Sequence, residues 1–107
     1  MLTQKVTPDQ LKKLAEDLDG YIKFVVDVKR GILTAGGARH VDGEQMLLKD
    51  GSKQGDLWGG GYDLQSGELD FDSMIDIRPT QDNPSREVLD LSVRKKVEEV
   101  ARRILIK

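Results

Sequence analysis

The stretch Tyr21-Ile-Lys-Phe-Val-Val-Asp-Val28, followed by Lys29-Arg30-Gly31 and Ile32-Leu-Thr-Ala35, constrains the fold more than any other part of the chain. Ile22, Phe24, Val26 and Val28 alternate with Tyr21, Lys23, Val25 and Asp27, the two-residue period of a half-buried strand built from β-branched and aromatic residues. Gly31 accepts the left-handed backbone that a short hairpin loop demands, so Ile32 to Ala35 are predicted to return antiparallel to the first strand. A hairpin with a buried face needs other elements to cover it.

The flanking sequence supplies them. Thr7-Pro8-Asp9-Gln10 joins an N-cap hydroxyl, a proline at the first helical position and a glutamine three residues after the cap. With Leu11, Leu14, Ala15 and Leu18 on one face and Gly20 as a stop, a helix is expected over about residues 8–18. Asp42-x-x-Gln45 reads as an acidic capping box opening a short helix of about two turns through Met46, Leu47 and Leu48, ended by Gly51. Leu57 to Leu64 predicts a glycine-loaded strand, Gln65-Ser66-Gly67 a turn, and Leu69 to Arg78 a returning strand that stops at Pro79. Residues 79–90, with two prolines, predict a surface loop. Val93, Val97, Val100, Ala101 and Ile104 then form one stripe, predicting a helix from Leu91 to Leu105. The order αββαββα gives an α+β fold with a mainly antiparallel sheet packed against helices, and 107 residues suit a single domain over 1–107.

Composition narrows the chemistry. The absence of cysteine excludes disulfides, thiolate zinc sites and a cysteine nucleophile. No apolar run reaches the ~20 residues of a bilayer span, and the N-terminal residues have no apolar targeting core, so a cytoplasmic protein with no membrane partner is expected. Nine acids between His40 and Asp76 face only Lys49 and Lys53, whereas Arg94, Lys95, Lys96, Arg102, Arg103 and Lys107 make the last segment basic. Nucleic acid is not favoured as a partner, and if bound would meet the C-terminal end.

The polar stretch from His40 to Trp58 is where chemistry concentrates. Gly36-Gly37-Ala38-Arg39-His40 places a glycine turn before a helix N-terminus, where free backbone N–H groups, Arg39 and His40 together suit an anion. The stretch has neither a phosphate-loop lysine nor a dinucleotide glycine pattern, so no cofactor is implied. His40 is the only histidine. It is the one side chain that ordinarily titrates near neutrality, so His40, Asp42 and Glu44 are the catalytic candidates: a general base with a carboxylate beside it, and Ser52 as a remote nucleophile. The plainer alternative is a capping Asp42 and a His40–Glu44 pair one helical turn apart. Asp50, Ser52 and Gln54 occupy alternating oxygen positions as in a calcium loop, but Gly61 stands where the bidentate glutamate belongs, so no metal site is assigned. Trp58, before Gly59-Gly60-Gly61-Tyr62, either lines a pocket or fills the core beneath closely packed backbone. In the loop from Arg78 to Glu87, Arg78 and Arg86 suit a phosphate or carboxylate, or else neutralise the acidic middle.

Taken together, Gly36-Gly37-x-x-His40-x-Asp42-x-Glu44-x-x-Leu47-Leu48-x-Asp50-Gly51-Ser52-x-Gln54-x-Asp56-Leu57-Trp58-Gly59 and Ile77-Arg78-Pro79-x-Gln81-x-Asn83-x-Ser85-Arg86 resemble the pattern of a family of small uncharacterised prokaryotic proteins, a domain of unknown function. The resemblance spans most of the chain and departs at Gly59-Gly60-Gly61-Tyr62, where more varied residues are expected. It implies a free-standing cytoplasmic domain in which the motif and the arginine loop belong to one pattern, and it transfers no activity, cofactor or catalytic residue.

If the two stretches converge, Arg39, His40, Asp42, Gln54, Trp58, Arg78, Asn83 and Arg86 are the ligand-binding candidates around one polar cleft. The leading expectation is a binding module for a small anionic or polar ligand, or a protein segment. The alternative is a small hydrolase of phosphoester or nucleic-acid bonds using His40 as acid or base. An interaction role through the basic last helix or a sheet edge is a third.

Overall fold

β1 (Tyr21–Asp27) is the strand around which the molecule is organised; a computed structural model describes residues 1–106. It pairs antiparallel with β2 (Ile32–Ala35) on one side and with β3 (Leu57–Asp63) on the other, and β4 (Leu69–Asp70) closes a sheet of order β2-β1-β3-β4. Asp27 sets the hairpin turn, its Oδ1 accepting the N–H groups of Lys29 and Arg30, both at 2.9 Å, and Gly31 takes φ 67° as the turn requires. Val25 stands opposite Thr34 in β2 and opposite Gly59 in β3, and this register decides which side chains share a face.

The alternation along β1 splits the core. Ile22, Phe24 and Val26 join Leu33, Trp58 and Tyr62 on the face covered by α1 (Pro8–Leu14) and α3 (Leu91–Leu105), where Val97, Ala101 and Ile104 are fully buried. Val25, Ile32 and Leu57 occupy the opposite face and meet Leu47 of α2 (His40–Lys49). The sheet is therefore sandwiched between helices, in the expected αββαββα order. No helix of the described residues is long and apolar enough to cross a membrane.

Three elements differ from expectation. The first helix ends at Leu14, and Glu16–Leu18 continue as a single tight turn closed by left-handed Asp19 and Gly20. α2 starts two residues before the Asp42 box, with Arg39 as N-cap and no capping side chain, so Asp42 lies in the first turn instead of capping it. It is ten residues long rather than about two turns. The fourth strand stops after Asp70 because Ser73 and Asp76 divert the chain: Ser73 Oγ accepts the Ile75 N–H at 3.3 Å, and Asp76 Oδ1 accepts the Gly59 N–H at 2.8 Å. Alternating Ile75 and Ile77 imitate a strand, but Ile75 packs against the Leu57 side of the core from a helical turn at Met74–Asp76. The loop that follows is tied down by Asn83, whose Nδ2 donates to the carbonyls of Asp76, Ser85 and Glu87 and whose Oδ1 accepts the Leu89 N–H.

Candidate functional site

Where α2 leaves the far end of its sheet face uncovered, a cleft of about 760 Å³ opens. Its floor follows from the glycine triplet of β3. Gly59 and Gly61 lie on the same face as Tyr21, Lys23 and Val25. A methyl group on Gly61 would overlap the Tyr21 ring and hydroxyl, and one on Gly59 would press on Ser73 and the His40 ring. The glycines are the recess in which Tyr21, His40 and Ser73 lie. Gly60 faces the other way and lets Phe24 and the Asp70 carbonyl approach.

His40, the first residue of α2, sits half-buried at this floor. Its Nε2 is 2.7 Å from the Gly60 carbonyl oxygen. A carbonyl only accepts, so Nε2 carries the proton, and in the neutral ring Nδ1 is the acceptor. Burial pulls the imidazole below its ordinary value, Lys23 adds to this, and the Gly60 carbonyl opposes it. The ring is therefore neutral at pH 7. Its hydrogen bond goes to backbone, not to Asp42 or Glu44, so neither carboxylate orients it as the catalytic pairing proposed. Asp42 is exposed beside Arg39, 3.8 Å away, and Glu44 is buried on the inner side of α2, where its charge acts on Arg78.

Tyr21 donates to Asp70 Oδ2 at 2.5 Å. Burial and the Asp70 carboxylate hold the phenol well above its usual range, so it stays protonated. Asp72 is the second acid in the cleft. Arg86 Nε lies 3.0 Å from its Oδ1, an ion-pair contact without hydrogen-bond alignment, and Oδ1 has no hydrogen-bond partner among the described residues. The basic groups are Lys23, which donates to the Ala38 carbonyl at 2.9 Å, Arg39, Arg86, and Arg94, stacked 4.5 Å from the Phe71 ring centre.

The two predicted stretches converge only in part. Arg39, His40 and Arg86 line the cleft. Arg78, Gln54, Trp58 and Asn83 are gathered elsewhere. Arg78 is buried, lies 4.3 Å over the Trp58 ring, and spends its guanidinium on the carbonyls of Ile75, Gln54 and Leu57 and on Gln81 Oε1. It clamps the 74–81 segment to the start of β3. Trp58 is 5% exposed, mainly a core residue, and with Asn83 it borders a smaller depression beside Leu89 and Val93. Ser52 donates to Asp27 Oδ2 at 2.6 Å and accepts from Arg30, which also reaches Asp50 at 2.6 Å. Asp50 and Ser52, two of the three oxygens that resemble a calcium loop, thus pin the hairpin turn to the end of α2. Among the described residues no group of three or more His, Asp or Glu side chains is placed to hold a metal ion.

Sequence reasoning missed Tyr21, Lys23, Asp70, Asp72, Ser73 and Arg94. A signal for the first two was present, since polar residues on alternate positions of β1 against a glycine run leave a furrow in a sheet face. The others depend on how the chain turns after β4.

Fold and site together define an α+β domain whose antiparallel sheet carries a polar cleft beside a helix N-terminus. The chain belongs to the family described as protein of unknown function DUF5674, whose model matches residues 1–104. No curated protein and no solved structure matches it. Family membership assigns no activity, so a functional reading rests on the cleft.

Proposed function

We propose that the protein is a small binding module and that the cleft between the N-terminus of α2, the 69–75 segment and Arg86 receives a small anionic or polar ligand. The observation that carries this reading is that the uncapped N-terminus of α2 and the side chains of Arg39, Lys23, Arg86 and Arg94 border one recess around a neutral histidine. Free N–H groups and guanidinium groups attract an oxyanion, and a neutral His40 adds no charge that would restrict the ligand further.

A titration with inorganic phosphate followed by amide and imidazole chemical shifts tests it. Shifts concentrated at Arg39, His40, Val41 and Arg86, and lost when Arg39 and Arg86 are both replaced by glutamine, are the expected result. Both side chains are more than half exposed, so the double variant keeps the fold. Shifts that are absent, or equally strong in the variant, would overturn the reading.

A second reading, a hydrolase of phosphoester or nucleic-acid bonds with His40 as general base, is favoured by one observation: Nδ1 of a neutral ring in a cleft has a lone pair free to take a proton. It predicts turnover of a generic phosphodiester that His40→Gln abolishes. Binding without turnover leaves only the module.

A further inference from the structure

We propose that the ligand of this cleft is amphoteric, a small molecule carrying a protonated amine or similar hydrogen-bond donor at one end and an oxyanion at the other. The proposal rests on the cleft being a ligand site and adds which way round the ligand lies.

The cleft offers both acceptors and cations. Beside the glycine floor, where the Lys23 ammonium is turned to the Ala38 carbonyl, Tyr21 and His40 present acceptors. The Tyr21 proton is committed to Asp70, so its phenolic oxygen presents only lone pairs, and Asp70 keeps a negative charge beside it. The His40 Nε2 proton is committed to Gly60, which leaves Nδ1 as an acceptor. Asp72 Oδ1 makes no aligned hydrogen bond among the described residues, its charge being met by Arg86 Nε at 3.0 Å, so it can still accept from a ligand donor. Farther out the Arg39 and Arg86 side chains, 71% and 59% exposed, stand beside the acids Asp42, Asp72 and Glu87 and keep guanidinium faces open to solvent. A simple anion beside Tyr21 and His40 would meet the Asp70 carboxylate and lone pairs. An amine would find charge-assisted acceptors there while its own anionic end stayed within reach of the guanidinium groups.

The prediction is tested by three small probes that carry one or both charged groups, γ-aminobutyrate, butyrate and butylammonium, titrated into the intact protein with chemical shifts of Tyr21, His40 and Arg86 as readout. γ-Aminobutyrate should bind about tenfold or more tightly than either probe with one charged group, as expected of one added charge-assisted bond. It alone should move all three residues. Asp70→Asn should erase its advantage over butyrate while phosphate still shifts Arg39 and His40, and Tyr21→Phe, which removes the phenolic acceptor but keeps the acid, should reduce that advantage by less. Butyrate binding as tightly as γ-aminobutyrate overturns the amphoteric assignment and leaves the anion cleft standing. The same holds if phosphate perturbs the cleft and none of the three probes does. Butylammonium binding as tightly as γ-aminobutyrate, with no response to phosphate, overturns both.

Discussion

Thr34 shows how closely α2 is seated on the sheet. Its Oγ1 is buried and has no hydrogen-bond partner among the described residues, because the nearest element is Gly43 of α2, where an added methyl group would lie 2.3 Å from that oxygen. Glycine in the middle of a helix costs up to about 1 kcal/mol relative to alanine, and here it allows the helix to approach the β2 side of the sheet. The hydroxyl gains nothing from its place. Thr34→Val keeps the shape and removes the unsatisfied polar atom, so it should raise stability by about 1 kcal/mol. The midpoint of denaturant unfolding measures this, and a midpoint below that of the unsubstituted protein would mean that the hydroxyl has a partner in solution.

At the scale of elements, β3 is the strand on which both core and cleft depend, and its three glycines are not equivalent. At Gly60 an added methyl group would lie 2.3 Å from the Asp70 carbonyl oxygen and 2.8 Å from the Phe24 ring, and backbone on one side and a fully packed ring on the other cannot both move aside. Gly60→Ala is therefore expected to cost about 3 kcal/mol or more. Gly55→Ala, where the nearest atom is the end of the Gln81 side chain at 3.5 Å, should be nearly neutral; similar thermal shifts for the two would contradict the packing described. The hairpin and α3 were legible in the sequence because their patterns are local: a two-residue alternation with Gly31 in the turn, and an apolar stripe capped by Asp90, whose Oδ1 accepts the N–H groups of Ser92 and Val93. The route after Asp70 was not legible. It is set by Asp76 reaching the Gly59 backbone and Asn83 reaching three carbonyls, contacts between segments whose spacing carries no period. The cleft was legible at Arg39, His40 and Arg86. Arg78 was misleading, because an arginine buried over tryptophan and one exposed to a ligand are written with the same residue.

For the whole molecule, the buried carboxyl of Asp76 sets the course of stability with pH. Asp76 is fully buried, its Oδ2 has no partner among the described residues, and burial raises its carboxyl from 3.8 to about 8, opposed by the Gly59 N–H and the nearby Arg78. The folded protein thus holds this proton more tightly than the unfolded chain does. The resulting stabilisation is complete below about pH 4 and is lost as pH rises toward about 8. His40 acts in the opposite sense: its folded value lies below 6.5, so its contribution is gained as pH rises through 6.5 and is nearly complete above that. The Tyr21 phenol, raised above 10, adds a loss only at higher pH. Between roughly pH 7 and pH 9 Asp76 is therefore left as the main source of slope, and stability should fall there by on the order of 1 kcal/mol. Asp76→Asn retains an oxygen for the Gly59 N–H and removes the ionisation, so its unfolding free energy should be nearly flat over the same range, even if the amide weakens the protein at low pH. Denaturant unfolding of both proteins at intervals across that range decides the matter. Parallel curves would mean that the slope arises elsewhere and that Asp76 is not protonated in the folded state near neutrality.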